Sequence, residues 1–402
     1  DSPSRPHAAS REPELASLVA KGAQLTELDA VALQLLVERA KGERSPRAAH
    51  IACIPKAYDT TLFWSAEELD ELRGSPWLEL AQRYADELAA DWASLLSQPG
   101  VANFVRDRAI GYKDYMWAYA TFKSRAAECR VDGAPLRLLA PGFDLFNHDG
   151  SIIPGSSHRF DTERSALVAC ATRAHAEGEQ VFISYGTASN GSLLLGGGFV
   201  LERNRFDSVE VCLTAQCNLR RLHIMMMIAP DAPEDGTTLP LFEFLQAPER
   251  EELEAAEGAL PFVTRHQLTL EAPLPPGLVS YVRIDRCSDV DLDALERRAE
   301  KRGEPVWELL RLSTPPDATL EVLALGALRA VLELKLAAYP TTLEEDERAL
   351  LGGALCGEGN TNNTNPSATR RRLAQLLRAS EKRILRSSVE ELDRRLRQQL
   401  RV

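Results

Sequence analysis

The stretch Arg137–Val200 constrains this chain more than any other. It runs RLLAPGFDLFNHDGS, passes through a less regular segment, and closes on AEGEQVFISYGTASNGSLLLGGGFV. Gln180–Tyr185 reads as a glycine-bounded apolar strand that ends on a tyrosine. Phe143–His148 sets Asp144, Asn147 and His148 among apolar neighbours, where polar groups are costly to bury without partners. From Leu136 to Leu213 short runs rich in Val, Ile, Phe and Leu alternate with Gly, Asn and Pro, the pattern of short strands. Ser208–Thr214, SVEVCLT, is one such alternating strand.

Helical patterns flank that region on both sides. Thr26 with Asp29 forms a helix start, and Leu28, Val31, Leu35 and Leu36 recur at helical spacing through Lys41. Ser65 with Glu68 is a second capping box. Trp77–Leu96 and Tyr115–Ala127 complete a helical block over Thr26–Ala127. After Cys217 the pattern is mostly helical again, with Ser288–Arg302, Asp317–Ala338, Thr342–Leu351 and Ser367–Leu400 the strongest segments. Asp1–Arg11 reads as loose, and the polar Gly352–Pro366 as disordered. Met225–Met227 reads as core filling, with an adaptable contact surface the alternative, and Leu274–Gly277 as a turn before a helix or strand.

At 402 residues the chain exceeds the usual size of one core and should hold two domains. A net charge of −12 argues against a nucleic-acid surface as its main purpose. The seven cysteines are scattered and form no C-x-x-C pair, which argues against structural zinc and against a disulfide framework. No apolar run approaches the ~20 residues that span a bilayer. His148 has no second histidine nearby at ligand spacing, so no metal site is expected.

The pairing of DLFNHD with GEQVFISYGTASN resembles the SET-domain protein methyltransferases, specifically the Rubisco large-subunit lysine methyltransferase and actin histidine methyltransferase subfamily. WSAEELDELRGS at Trp64–Ser75, FKSRA at Phe122–Ala126, LPPGLVSYVRI at Leu274–Ile284 and YPTTLEEDERAL at Tyr339–Leu350 are similar to that subfamily and occur in its order. The resemblance implies an α+β chain: a SET-type β fold over residues 1–216 with a helical insertion at 26–127, then an all-α substrate-binding domain at 217–402. It implies methyl transfer from S-adenosylmethionine to a lysine, less readily a histidine, of a folded protein docked on the C-terminal helical domain. It implies a chloroplast location, with cytoplasm or nucleus as alternatives.

Residue by residue, the resemblance makes Tyr185 the catalytic residue, its hydroxyl at the transfer point. On its own, a tyrosine ending a strand is more often a packing residue. Asn147 and His148 carry over as cofactor contacts; read alone they are a turn Asn and a satisfied core His. Arg125 carries over as a cofactor-carboxylate and substrate-side residue, against the bland reading of a surface ion pair. Asp144, Phe160 and Gly197 carry over as the substrate channel, with a structural carboxylate the alternative for Asp144.

Two departures stand against the pattern. SET domains place a Gly-x-Gly hairpin near their start, and this chain begins just after the position expected for it, which reads either as a sequence cut short or as natural loss of the hairpin. Gly357-Glu358-Gly359 has the letters in the wrong place. Lysine-specific members carry a tyrosine where this chain has Gly197, which widens the channel, whereas Phe160 leans toward lysine. A rival reading is therefore a non-catalytic SET-like scaffold subunit of a larger assembly, such as a plastid transcription assembly. Arg370–Arg401, with eleven Lys/Arg against four Asp/Glu, reads either as a solvated face with local ion pairs or as a surface for an acidic patch of a partner.

Overall fold

The structure is a computed structural model, and it describes residues 13–131, 134–164, 166–217, 220–221, 224–225, 260–311, 317–355 and 365–400. Asp1–Arg11, read from the sequence as loose, Met226, Met227 and Gly357-Glu358-Gly359 lie outside the described residues. Packing divides the chain into two units, Asp1–Phe206 with Asp346–Arg378, and Asp207–Glu345 with Ala379–Val402.

The first unit begins with helices whose starts are written locally. Thr26 accepts from the Asp29 amide while Asp29 bonds back to the Thr26 amide, opening Glu27–Lys41. Ser65 and Glu68 do the same for Ala66–Asp70. Trp77–Ser97 and Tyr112–Arg125 follow, both within a residue or a turn of the positions read from periodicity. Their apolar faces close on a core of Leu33, Leu36, Leu88, Leu95, Tyr115 and Ala118. At its centre the Tyr115 hydroxyl donates to the Asp29 carboxylate at 2.9 Å, so one capping residue also satisfies a buried phenol.

Short strands come next. β1 (Ala127–Val131) and β2 (Ala134–Leu138) form an antiparallel hairpin, as do β4 (His158–Asp161) and β5 (Ala166–Ala169). β3 (Asn147–His148) lies parallel to β6 (Phe182–Ile183), pairing Asn147 with Phe182 and His148 with Ile183. The Asp149 amide extends that ladder by donating to the Ile183 carbonyl at 3.0 Å. The strand expected over Gln180–Tyr185 is thus two residues long, and the expected pairing of the two motifs is made by β3 and β6. The helix Asn190–Gly197 then starts on a Ser189 cap.

The last helix, Pro366–Gln399, contributes its residues through Arg378 to this unit. Arg370 donates to Asp59, Glu68 and the Phe63 carbonyl; Arg371 meets Glu71. Arg378, 3% exposed in its side chain, forks onto Asp346 and also reaches Glu71. Further along, within the second unit, Lys382 donates to the Thr341 and Thr342 carbonyls and Arg386 to Glu344. Most of the basic residues of this helix are therefore spent on partners inside the chain.

The second unit pairs β7 (Val209–Cys217) with β8 (Leu260–Leu268) over nine residues in antiparallel register. The sequence reading extended to β7 but did not anticipate β8. The helices Pro276–Arg286, Asp289–Arg302, Val306–Arg311 and Ala318–Ala337 make the rest of this mostly helical unit. Leu278, Ile284, Leu292, Leu309 and Leu332 fill its core. Met225 joins them, as expected of a core-filling methionine. Inside, Arg283 pairs with Glu321 at 2.7 and 3.0 Å and donates to the Leu310 carbonyl. No helix among the described residues is long and apolar enough to cross a membrane.

Candidate functional site

Within the first unit, the C-terminal end of the Tyr112–Arg125 helix, the Phe143–Phe146 turn and the residues after β6 surround a cleft of about 430 Å³. Arg125, Asp144 and Tyr185 line it, together with Phe143, Phe146, His158 and Ser184. Three of the seven residues carried over from the resemblance, drawn from three segments, thus converge on one space.

Tyr185 stands there because the chain stops being a strand at that point. Gly186 has φ of +100°, a region costly for any side-chain-bearing residue, and it turns the backbone away just past the tyrosine. Just upstream, the Ser157 hydroxyl accepts from the Ser184 amide at 3.0 Å, pinning the segment to the loop before β4. The Tyr185 amide donates to Nδ1 of His148 at 3.0 Å, and the two rings stack with centroids 5.0 Å apart. The Tyr185 hydroxyl donates to the Phe146 carbonyl at 2.6 Å. Burial raises the phenol above its ordinary pKa, and Asp144 adds to this while Arg125 opposes it, so the hydroxyl stays protonated at neutral pH.

His148 is held below its ordinary pKa by burial, against the Ile183 backbone and Asp149, which pull the other way. A neutral imidazole that accepts at Nδ1 carries its proton on Nε2. Asn147 is exposed on β3, paired by its backbone with Phe182. Neither residue is part of the cleft lining, and they flank it through Tyr185.

Arg125 ends its helix and donates from Nη1 to the Asp144 main-chain carbonyl at 2.7 Å, with the Asp144 carboxylate 3.8 Å away. Its Nε is buried and meets no hydrogen-bond partner among the described residues. A buried N–H left unpaired costs about 1–3 kcal/mol, and more on a charged group; the guanidinium as a whole is 19% exposed and lines the cleft. Asp144 is the opposite case. Its carboxylate accepts from the Gly142 amide at 3.1 Å and lies 2.8 Å from Nε2 of His50. That is the behaviour of a structural carboxylate, although the residue also borders the cleft.

Phe160 lies on β4 opposite Leu167 and does not line the cleft. Gly197 does not line it either, but bears on it through one ring. A Cβ at 197 would come within 2.7 Å of the Phe199 ring, and that ring sits edge-on to Tyr185 at 6.2 Å. Phe199 and His50 were not singled out from the sequence. For Phe199 the signal was at hand in the GGGF run, but His50 lies 94 residues from Asp144 and nothing local marks it.

Residues 245–385 match the family model for the Rubisco LSMT substrate-binding domain. Against a crystal structure of the SET domain of LSMT bound to lysine and AdoHcy, the TM-score is 0.71 at 23% identity, covering 98% of this chain and 80% of that one. The chain carries the SET-domain LSMT fold. The LSMT-fold chain is 31% identical over 217 residues to the actin-histidine N-methyltransferase of Drosophila melanogaster, covering 48% of this chain and 40% of the relative. It is 27% identical over 364 residues to the chloroplastic fructose-bisphosphate aldolase-lysine N-methyltransferase of Arabidopsis thaliana, covering 88% and 66%. It is 26% identical over 369 residues to the chloroplastic Rubisco large-subunit N-methyltransferase of Nicotiana tabacum, covering 89% and 65%. The chain thus spans less than two thirds of the length of these relatives, and the resemblance read from its motifs is borne out.

Proposed function

We propose that this protein is an S-adenosylmethionine-dependent protein methyltransferase. The observation that carries the reading is the convergence of Tyr185 and Arg125 on one cleft, beside the Asn147–His148 strand. The relatives named above transfer methyl groups to lysine or histidine side chains of proteins, and solved structures of this fold hold AdoMet or AdoHcy.

In this reading Arg125 takes the carboxylate end of the cofactor, and Asn147 and His148 hold it along β3. When bound, S-adenosylmethionine supplies a methyl group already activated on a sulfonium. The residues of this chain do the rest by alignment and by excluding water. Because the Tyr185 O–H is committed to the Phe146 carbonyl, its lone pairs remain to accept an N–H from the incoming acceptor. That fixes the direction of the acceptor nitrogen, so that once the nitrogen is neutral its lone pair can point along the line of transfer. Stacking on His148 and the edge of Phe199 hold the phenol ring in place.

Lysine is the acceptor we favour, since structures of this fold contain lysine or methyllysine. Gly197 and Phe199 shape the entrance on the acceptor side. The mostly helical second unit, matched in part by the substrate-binding family model, is the docking surface for a folded protein substrate. A chloroplast location accords with the plant relatives.

The test is calorimetric titration of the full-length protein with S-adenosylhomocysteine, followed by methyl transfer from labelled cofactor into a plastid extract with hydrolysis of the labelled amino acid. Micromolar binding and methyllysine are expected. No heat at millimolar ligand would turn the reading toward a scaffold, and methylhistidine would move the acceptor.

A further inference from the structure

The group that grips the wall of the cleft yet has no part in the chemistry above is His50. It belongs to the short helix Ala48–Cys53, 75 residues ahead of Arg125, and its side chain is 9% exposed. Its Nε2 lies 2.8 Å from Oδ2 of Asp144, whose own side chain is 1% exposed. We propose that His50 is a positioning residue: by holding the Asp144 carboxylate, it fixes the guanidinium of Arg125 in the cleft. This rests on the reading of Arg125 as the holder of the cofactor carboxylate.

Among the described residues, the buried Asp144 carboxylate shares few donors. Oδ1 of Asp144 takes the Gly142 amide. Oδ2 takes His50, and Arg125 stands off at 3.8 Å, too far for a hydrogen bond. Arg125 gives its Nη1 proton to the main-chain carbonyl of the same residue instead. The Tyr58 hydroxyl, bonded to Thr121 at 2.8 Å, also borders the guanidinium, whose charge acts on that phenol. The guanidinium is thereby held at the cleft wall by the main chain of residue 144 and not by its carboxylate.

Take away the imidazole N–H and the balance changes. A buried carboxylate short of one donor has a cation within 4 Å to turn to. Arg125 would rotate into a direct pair with Asp144 and leave the carbonyl, and its charge would be spent on the protein and not on a ligand in the cleft. The predicted signature is lost cofactor affinity in a protein that keeps its fold.

Four variants of the full-length protein, titrated calorimetrically with S-adenosylhomocysteine, decide it. His50→Leu keeps the volume and removes the donor, and affinity should fall about 10-fold, the size of one lost charge-assisted hydrogen bond. His50→Gln restores an amide N–H at similar reach and should return affinity to within about 3-fold of the parent. Arg125→Ala lowers affinity, and adding His50→Leu to it should change nothing further, because the two act as one unit. Equal affinity in the parent and His50→Leu, a Gln variant as weak as Leu, or additive losses in the double variant would each overturn the inference alone. A parent that binds no S-adenosylhomocysteine would overturn the cofactor reading and this inference with it. Should the Leu variant not fold, His50→Asn, polar but too short to reach Asp144, carries the same comparison with Gln.

Discussion

The hydroxyl of Tyr185 is hydrogen-bonded to the main-chain carbonyl of Phe146 at 2.6 Å, so the residue that ends one motif is tied to the residue that precedes Asn147 in the other. The two residues are 39 positions apart, so the intervening chain must leave and return for that bond to form. It orients the phenol without using up its acceptor capacity.

Tyr185→Phe should therefore lower methyl transfer by about 100-fold or more, in the range seen when one aimed polar group is removed from a reacting centre. The ring still stacks on His148, so affinity for S-adenosylhomocysteine should stay within about 3-fold. Single-turnover transfer and calorimetry on the same preparation separate the two quantities. Unchanged turnover would remove Tyr185 from its role.

Two neighbouring glycines should behave differently. Gly198 has φ of +73°, and a Cβ there would lie 2.8 Å from backbone atoms of Asp59 and Thr60, which cannot yield. Gly198→Ala should cost more than about 2 kcal/mol of stability, measured by urea unfolding. At Gly197 the obstacle is only the Phe199 ring. Gly197→Ala should displace that ring from Tyr185, altering kcat for the acceptor while costing less stability than its neighbour.

Arg378 offers a stability test away from the cleft. Its guanidinium is buried on Asp346 and touches Glu71. Breaking a buried pair leaves an uncompensated charge, so Arg378→Ala should destabilise by about 3–5 kcal/mol. The double variant with Asp346→Ala should recover part of the loss, and a thermal melt of both reads it.

His266 sets a pH dependence in the second unit. It is buried on β8, 2.9 Å from the Thr264 hydroxyl, and burial lowers its pKa from 6.5 to about 4. Below the unfolded pKa the unfolded chain binds a proton that the folded one refuses, so stability is complete above pH 6.5 and declines as pH falls toward 4. Linkage gives a loss of about 2 kcal/mol between pH 7.5 and pH 5. Urea titrations at those two values should show a smaller loss in His266→Phe than in the parent.

What the sequence revealed and what it withheld divide along the chain distance of the interaction. The capping boxes at Thr26 and Ser65 are complete within four residues and stand where they were read, and the helix read from Ser288 starts on a box of the same kind. The two motifs that carry the family resemblance come together as β3 and β6. By contrast, β8 offers an alternating but charge-bearing pattern, and only its pairing with β7 makes it a strand. The basic run of the last helix gave no hint that Arg370 answers to Asp59 and Glu68, some 300 residues earlier. His50 was invisible for the same reason: its meaning lies in Asp144, not in its neighbours.

That last helix has a consequence for how the protein is made. The first unit is unfinished until Asp346–Arg378 has been synthesised, because Arg370, Arg371 and Arg378 supply the cations that Asp59, Glu68 and Glu71 meet among the described residues. At cellular elongation rates of about 5–20 residues per second, roughly 10–30 s separate the emergence of Phe206 from that of the closing segment. Throughout that interval the early helices carry an unmatched acidic seam, and they depend on the ribosome to deliver the piece that seals it.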